Sequence, residues 1–177
     1  MDKSKLIKDL DLFIEIANKF QNEKFYKFKF IIFGKVFSNQ NKYFNDLQKK
    51  IKFLKLKNIV FIINKKKTKF FFENLSYYIC SSKNESSPLS VWEALSLGIP
   101  VFSTNVGDIN KLLKNRSFDF ICNTRDKKVF FERIKKFHSL NKNKKILITN
   151  KLTKIAKKNF HPKVCCSKHL KFIYKLL

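Results

Sequence analysis

The stretch "SSKNESSPLSVWEALSLGIPVFSTNVGD", Ser81 to Asp108, holds two of the three glycines and two of the three prolines in the 177-residue chain. It reads as a strand end, a loop, a helix, a stop and a second strand. Pro88 suits the first helical position, where its missing N–H would be unpaired anyway, with Ser87 as the natural cap. Gly98 supplies the helix stop and Pro100 opens the next strand. Within the helix, Leu89, Val91, Trp92, Ala94, Leu95 and Leu97 leave only a narrow polar stripe of Ser90 and Glu93, with Ser96 beside it. Glu93 is therefore expected to point into a cleft or a satisfied polar contact, and Glu85 lies at the end of the preceding strand. Backbone N–H groups of the first helical turn carry partial positive charge, which suits a phosphate. The physics alone predicts an anion at the helix start, with carboxylates placed to accept hydrogen bonds from hydroxyls.

Outward from this window the chain alternates. The spacing predicts a helix over Ser4 to Phe20 and a buried strand over Phe28 to Gly34. A helix on Phe44, Leu47, Ile51 and Leu54 and a strand from Asn58 to Ile63 come next. A short helix near Thr68 to Asn74 leads to strands at Tyr77 to Ser82 and Pro100 to Thr104, on either side of the helix Pro88 to Leu97. The series continues with a short helix Asp108 to Leu113, a strand Phe118 to Cys122 and a helix Asp126 to Leu140. Two terminal helices, broken at Pro162, close the chain. Strands alternating with helices need crossover connections, so the fold class is α/β: a Rossmann-like parallel sheet flanked by helices, with C-terminal helices. Ligands of such sheets bind beyond the carboxyl ends of the strands, which directs attention to the loops after Gly34, after Ile63, at Ser81 to Ser87 and at Thr104 to Asp108.

Composition bounds the partners. The chain carries 39 basic and 13 acidic residues, a formal charge of +26. Such a charge ordinarily points to nucleic acid or an anionic membrane surface. Only Arg116, Arg125 and Arg133 are arginine, however, and Arg, Ala, Gly and Pro, with GC-rich codons, are all scarce beside abundant Lys, Asn, Ile and Phe. Drift in base composition explains that pattern, and the lysines scatter instead of forming one basic arm. The field still favours a polyanionic ligand such as a diphosphate. Cys80, Cys122, Cys165 and Cys166 form no C-x-x-C pair, and His138, His161 and His169 are isolated, so no metal site is expected. No apolar run approaches the roughly 20 residues that cross a bilayer, and the expectation is a cytoplasmic protein, at most peripheral at the inner face of a membrane.

"ESSPLSVWEALSLGIPVFSTNVGD" resembles the paired-glutamate signature of retaining, nucleotide-sugar-dependent glycosyltransferases of the two-Rossmann-domain type, the group 1 or family 4 kind. Glu85 and Glu93 stand as the two glutamates, followed by matching Ala94, Gly98, Pro100, Val101, Val106 and Gly107. "FIIFG", "LKLKNIVFI", "YYICSSKNE" and the terminal "AKKNF" to "FIYKLL" match further elements, so the resemblance covers nearly the whole chain. It implies a single donor-binding, C-terminal-type domain over residues 1–177, with the acceptor-binding N-terminal domain and the first, central strand of the sheet absent. Glu93 would accept hydrogen bonds from the donor ribose and Glu85 would contact the transferred sugar. Amides around Leu89 and Ser90 would hold the diphosphate, with Ser86, Ser87 and Gly34 completing the nucleotide-sugar-binding set. Lys8 would neutralise the leaving diphosphate, where negative charge builds during transfer. Asp9 stands where the family has glycine, and Lys3 or Lys5 would have to replace its upstream arginine. No cofactor or metal is implied beyond the donor itself.

The expected function is therefore the donor-binding half of a glycosyltransferase that transfers a sugar from a nucleoside-diphosphate sugar to a glycan or lipid-linked acceptor. Because the family's active sites lie between two domains, a partner chain or missing domain would complete the enzyme. A non-catalytic sugar-nucleotide-binding subunit is the alternative. A basic nucleic-acid-binding protein is a third reading, disfavoured by the absence of any known binding module.

Overall fold

A computed structural model describes residues 7–63, 72–113 and 118–174. Lys3, Lys5, Arg116, the loop lysines Lys65 to Lys67 and the start of the helix expected near Thr68 lie outside them; Phe72 and Glu73 are helical.

The order is α1 (Leu10–Asn22), β1 (Phe30–Gly34), α2 (Asn41–Phe53), β2 (Ile59–Ile63), β3 (Tyr78–Cys80), α3 (Leu89–Ser96), β4 (Val101–Thr104), α4 (Ile109–Leu113), β5 (Ile121–Cys122), α5 (Lys127–His138), α6 (Lys142–Phe160) and α7 (Pro162–Ile173). Every described strand pair is parallel, as the alternation predicts. Among the described residues the strands form two ladders, β1-β2 and β3-β4-β5. Burial follows the pairing: β4, flanked on both sides, is buried throughout, while β1 and β3 are largely half-buried.

Helix α1 starts at Leu10, later than its apolar spacing suggests, because Asp9 adopts a left-handed conformation (φ 46°) and caps the helix, accepting from the Leu12 amide. Aspartate tolerates that region because its short side chain bonds locally. Beyond the cap, Ile14, Ile16, Ala17 and Phe20 are fully buried. Phe20 meets Phe131 of α5 edge-on at 4.8 Å. Lys50 bonds Asp11 and Glu15, and Lys127 bonds Glu15, tying α2 and α5 to α1. These lysines hold the Glu15 carboxyl below its ordinary value, Lys127 first, against the opposing effect of partial burial.

Phenylalanines fill the core beneath β4: Phe102, Phe118, Phe120 and Phe137 lie ring against ring at 4.9–6.4 Å. The high phenylalanine count thus does structural work here, whatever its genomic origin. Histidines serve packing and capping. His138 bonds the Tyr77 hydroxyl through Nδ1 (2.9 Å), with its ionisation pushed down mainly by burial, and His161 caps α7 by accepting from the Lys163 amide.

Candidate functional site

The site is built at the carboxyl ends of β3 and β4. After β3 the chain turns through Ser81 and Ser82, and the buried Thr104 hydroxyl at the end of β4 fixes that turn by donating to the Ser82 carbonyl (2.6 Å). Ser82 in turn donates to Glu85 Oε1 (2.9 Å). Lys8, far away in sequence, arrives at the same oxygen: its Nζ lies 2.5 Å from Glu85 Oε1. Two backbone anchors hold the Lys8 segment against the turn. The Lys83 amide donates to the Ile7 carbonyl (2.6 Å) and the Ser81 hydroxyl donates to the Lys8 carbonyl (3.0 Å). The Lys8 side chain is 63% exposed while that of Glu85 is 15% exposed, so the lysine can leave the pair for an incoming anion more readily than the glutamate can move.

Asp9, beside Lys8, does not act as an open negative charge. Its carboxylate is paired with Arg125, at the start of α5, and is buried. Asp9 stands where the family has glycine, and Arg125, distant in the chain, offsets its charge.

Gly107 explains why glycine recurs after β4. Its φ is +55°, and a Cβ there would come within 2.4 Å of the Ser86 carbonyl oxygen and 2.9 Å of that of Glu85. The Glu85–Ser86 loop therefore rests directly on the Gly107 backbone. Gly34, at the end of β1, differs: nothing lies within 4 Å of the Cβ position, and the residue opens onto a cleft.

Helix α3 begins one residue later than the punctuation predicts. Pro88 is the N-cap, with no side-chain cap bond. Ser87 is not the cap; its hydroxyl donates to Asp108 Oδ2 (2.9 Å) and accepts from the Trp92 indole N–H (3.3 Å). Those bonds come from partners that local spacing does not reveal. Val91 donates to the Pro88 carbonyl (2.9 Å), so the amides of Leu89 and Ser90 precede that bond, at the positive end of the helix. Leu89 is 69% exposed. The Ser90 hydroxyl accepts from Tyr78 (2.8 Å), whose phenol is pushed up to about 12 chiefly by burial. Ser86 is exposed on the loop.

Glu93 lies exposed on α3, not enclosed by it, because the rest of the helix is committed elsewhere. Trp92 stacks on Phe160 of α6 at 4.1 Å, and Thr153 of α6 donates to the Leu95 carbonyl (3.0 Å). The structure thus brings Lys8, Glu85, Ser86, Ser87, Leu89 and Ser90 to one edge, with Gly34 on the neighbouring strand end. The supporting residues Arg125, Asp108, Thr104 and Gly107 complete the arrangement. Gly107 and Asp108 lie within the quoted window, but only the fold shows what they support.

The family model for glycosyl transferases group 1 matches residues 5–154. None of the curated proteins compared with the chain matches it. Among solved structures, HepE of Anabaena in complex with UDP and glucose superposes with a TM-score of 0.83 at 15% identity, over 94% of this chain and 45% of its own. TarM of S. aureus gives 0.77 at 18% identity, over 93% of this chain and 32% of its own, in a complex with UDP and other ligands. The C-terminal domain of a group 1 family protein, LpcC from Francisella tularensis, gives 0.74 at 16% identity, covering 87% of this chain and 80% of its own. At these identities the likeness is one of fold. The chain spans less than half the length of the HepE and TarM chains it matches.

Proposed function

The chain belongs to the group 1 glycosyl transferases, and from that premise we propose that residues 1–177 are a single donor-binding domain. It would hold a nucleoside-diphosphate sugar for transfer, with retention, to a glycan or lipid-linked acceptor. The observation that carries this reading is the convergence of Lys8, Glu85 and the start of α3 at one strand edge, with Lys8 Nζ on Glu85 Oε1 (2.5 Å).

The chemistry follows from those positions. The diphosphate sits at the Leu89 and Ser90 amides, where helix-end partial charge and an overall positive field attract it. Lys8 turns from Glu85 to the diphosphate and offsets the charge that grows on the leaving oxygen as the sugar departs. Glu85, released from the ammonium but held by Ser82, accepts hydrogen bonds from the sugar hydroxyls. Glu93, exposed on α3, accepts from the ribose hydroxyls. Ser86 and Ser87 line the loop between them, and Gly34 faces the nucleotide from the neighbouring strand end.

The HepE and TarM chains are about twice this chain's length or more, which supports a reading in which this domain binds donor and a second domain or chain presents the acceptor. Among the described residues no helix is long and apolar enough to cross a membrane. We place the protein in the cytoplasm, with peripheral membrane contact where the acceptor is lipid-linked.

Thermal stabilisation by uridine, guanosine and adenosine diphosphates and their sugars tests the reading. One nucleoside diphosphate stabilises the chain, and Lys8→Ala weakens that binding about tenfold. Because Lys8 is mostly exposed, the same variant leaves stability in the absence of ligand nearly unchanged. Equal affinity of Lys8→Ala and the unaltered chain for the diphosphate would remove Lys8 from the site.

A further inference from the structure

The lysines scatter along the chain, but the acidic residues do not. All thirteen lie before Arg133, and residues 133–177 carry fourteen basic residues and no acidic one. Drift in base composition acts on the whole chain alike, so it accounts for many lysines but not for acids confined to one part. This one-signed stretch leads into α7, and α7 differs from the other six α-helices in burying none of its residues.

Only the first turn of α7 meets the body: Val164 and Cys165 are half-buried, and the Cys165 thiol donates to the Asn159 carbonyl (3.7 Å). Phe160, two residues before the helix, stacks on Trp92, so α7 departs beside α3, whose start forms the candidate donor site. From Cys166 to Tyr174 every residue is exposed, Phe172 by 63% and Ile173 by 50%. At about 100° per residue, Cys166, Leu170, Phe172 and Ile173 share one half of the circumference, while Lys168 and Lys171 occupy the other. Lys163 and Tyr174 stand at the rim between them. A helix of 12 residues is marginal in water by itself, and its apolar half calls for cover. The charge decides between covers. A second copy of the chain would bring like charge, and a nucleic acid would pair the lysines but leave Phe172 and Ile173 in water. An anionic bilayer satisfies both halves: lipid takes the apolar side, headgroup phosphates attract the lysines, and the tyrosine suits the boundary.

We propose that α7 is an interfacial anchor for an anionic membrane, lying along the surface with Leu170, Phe172 and Ile173 among the lipids and Lys163, Lys168 and Lys171 at the headgroups. The inference deepens the peripheral membrane contact proposed above and rests on that reading. The basic residues of α6 add long-range attraction, and the short apolar face supplies the insertion that distinguishes α7 from a merely charged surface. Through the Trp92–Phe160 stack the anchor would hold the donor helix α3 close to the bilayer without touching the donor.

The test floats the full chain with phosphatidylcholine vesicles, with and without about 30% phosphatidylglycerol, and follows amide hydrogen exchange across residues 166–174. Binding to the anionic vesicles is expected, with exchange across that segment slowed at least about tenfold. The triple variant Leu170→Ser, Phe172→Ser, Ile173→Ser keeps every charge and should lose at least about tenfold in vesicle affinity. Its melting temperature should match that of the unaltered chain, because all three side chains are exposed. Phe172→Trp, which keeps an interfacial aromatic, should bind as the unaltered chain does. Lys163→Gln, Lys168→Gln and Lys171→Gln together should weaken binding at least about tenfold. The vesicles contain neither nucleotide nor acceptor, and diphosphate stabilisation of the serine variant should be unchanged, so failure of the anchor and failure of the donor reading are told apart. Equal vesicle binding by the serine variant would show that bulk charge suffices and overturns the proposal, as does equal binding to neutral vesicles or none to anionic ones. Protection of residues 166–174 in the lipid-free chain, or with a DNA duplex but not with vesicles, also overturns it.

Discussion

At the scale of single residues, the site depends on pairs that are distant in sequence. Gly107 is required by contact: its positive φ and the 2.4 Å approach of the Ser86 carbonyl leave no room for a side chain. Gly107→Ala is expected to destabilise the fold by about 2–3 kcal/mol in urea titrations, whereas Gly34→Ala, facing open space, should stay within about 0.5 kcal/mol. Arg125 offsets the buried Asp9 carboxylate, and Arg125→Ala should cost about 1–3 kcal/mol by leaving that acceptor without its partner. Restoration of stability in the double variant Arg125→Ala, Asp9→Gly, measured by the same titration, identifies the orphaned charge as the cause. Asp9→Gly also suits the left-handed backbone there, the conformation that glycine adopts at no steric cost. The place of Glu85 just after β3 and the positive-φ stop at Gly98 were legible in the sequence because the pattern is local. The Asp9–Arg125 and Ser87–Asp108 pairings were not, because each joins groups that only the tertiary fold brings together.

At the scale of elements, α3 is held in place from behind. The stacking of Trp92 on Phe160 and the Thr153 bond to the Leu95 carbonyl lock it to α6, which fixes the direction in which the Leu89 and Ser90 amides point. Trp92→Ala should lower unfolding stability by about 3–5 kcal/mol and weaken nucleotide binding, since it removes a 3% exposed side chain and the Ser87 contact together. Calorimetry reads the first effect and nucleotide titration the second. The alternation of strands and helices predicted these elements well, because periodicity and punctuation are local. The start of α1 was misplaced because apolar spacing continues through Lys8 and Asp9, while the Asp9 backbone and its cap bond stop the helix there.

At the scale of the molecule, the parallel architecture was legible but the division of the sheet into two ladders was seen only as an expected missing strand. The half-buried β1 and β3 show its physical consequence. Alkaline stability carries another whole-molecule signature. Burial pushes the phenols of Tyr43 and Tyr78 from an ordinary value near 10 up to about 12, with Asp11 adding to the effect on Tyr43. A raised folded value means that their contribution is fully present below pH 10 and is lost as pH rises toward 12, because the unfolded chain releases those protons first. Unfolding midpoints measured across that range should fall, and the decline should shrink in Tyr78→Phe.

The central claim is that the edge holding Lys8, Glu85 and the start of α3 binds a nucleoside diphosphate, with Glu93, exposed further along α3, reaching the bound ribose. Calorimetric titration of the full chain with uridine, guanosine and adenosine diphosphates, repeated for Glu93→Ala and with a DNA duplex at two salt concentrations, tests it most directly. The account predicts saturable binding of one diphosphate, lost in Glu93→Ala, and only weak, salt-sensitive association with the duplex. Tight duplex binding with no response to any nucleotide, or nucleotide binding unchanged in Glu93→Ala, would contradict it.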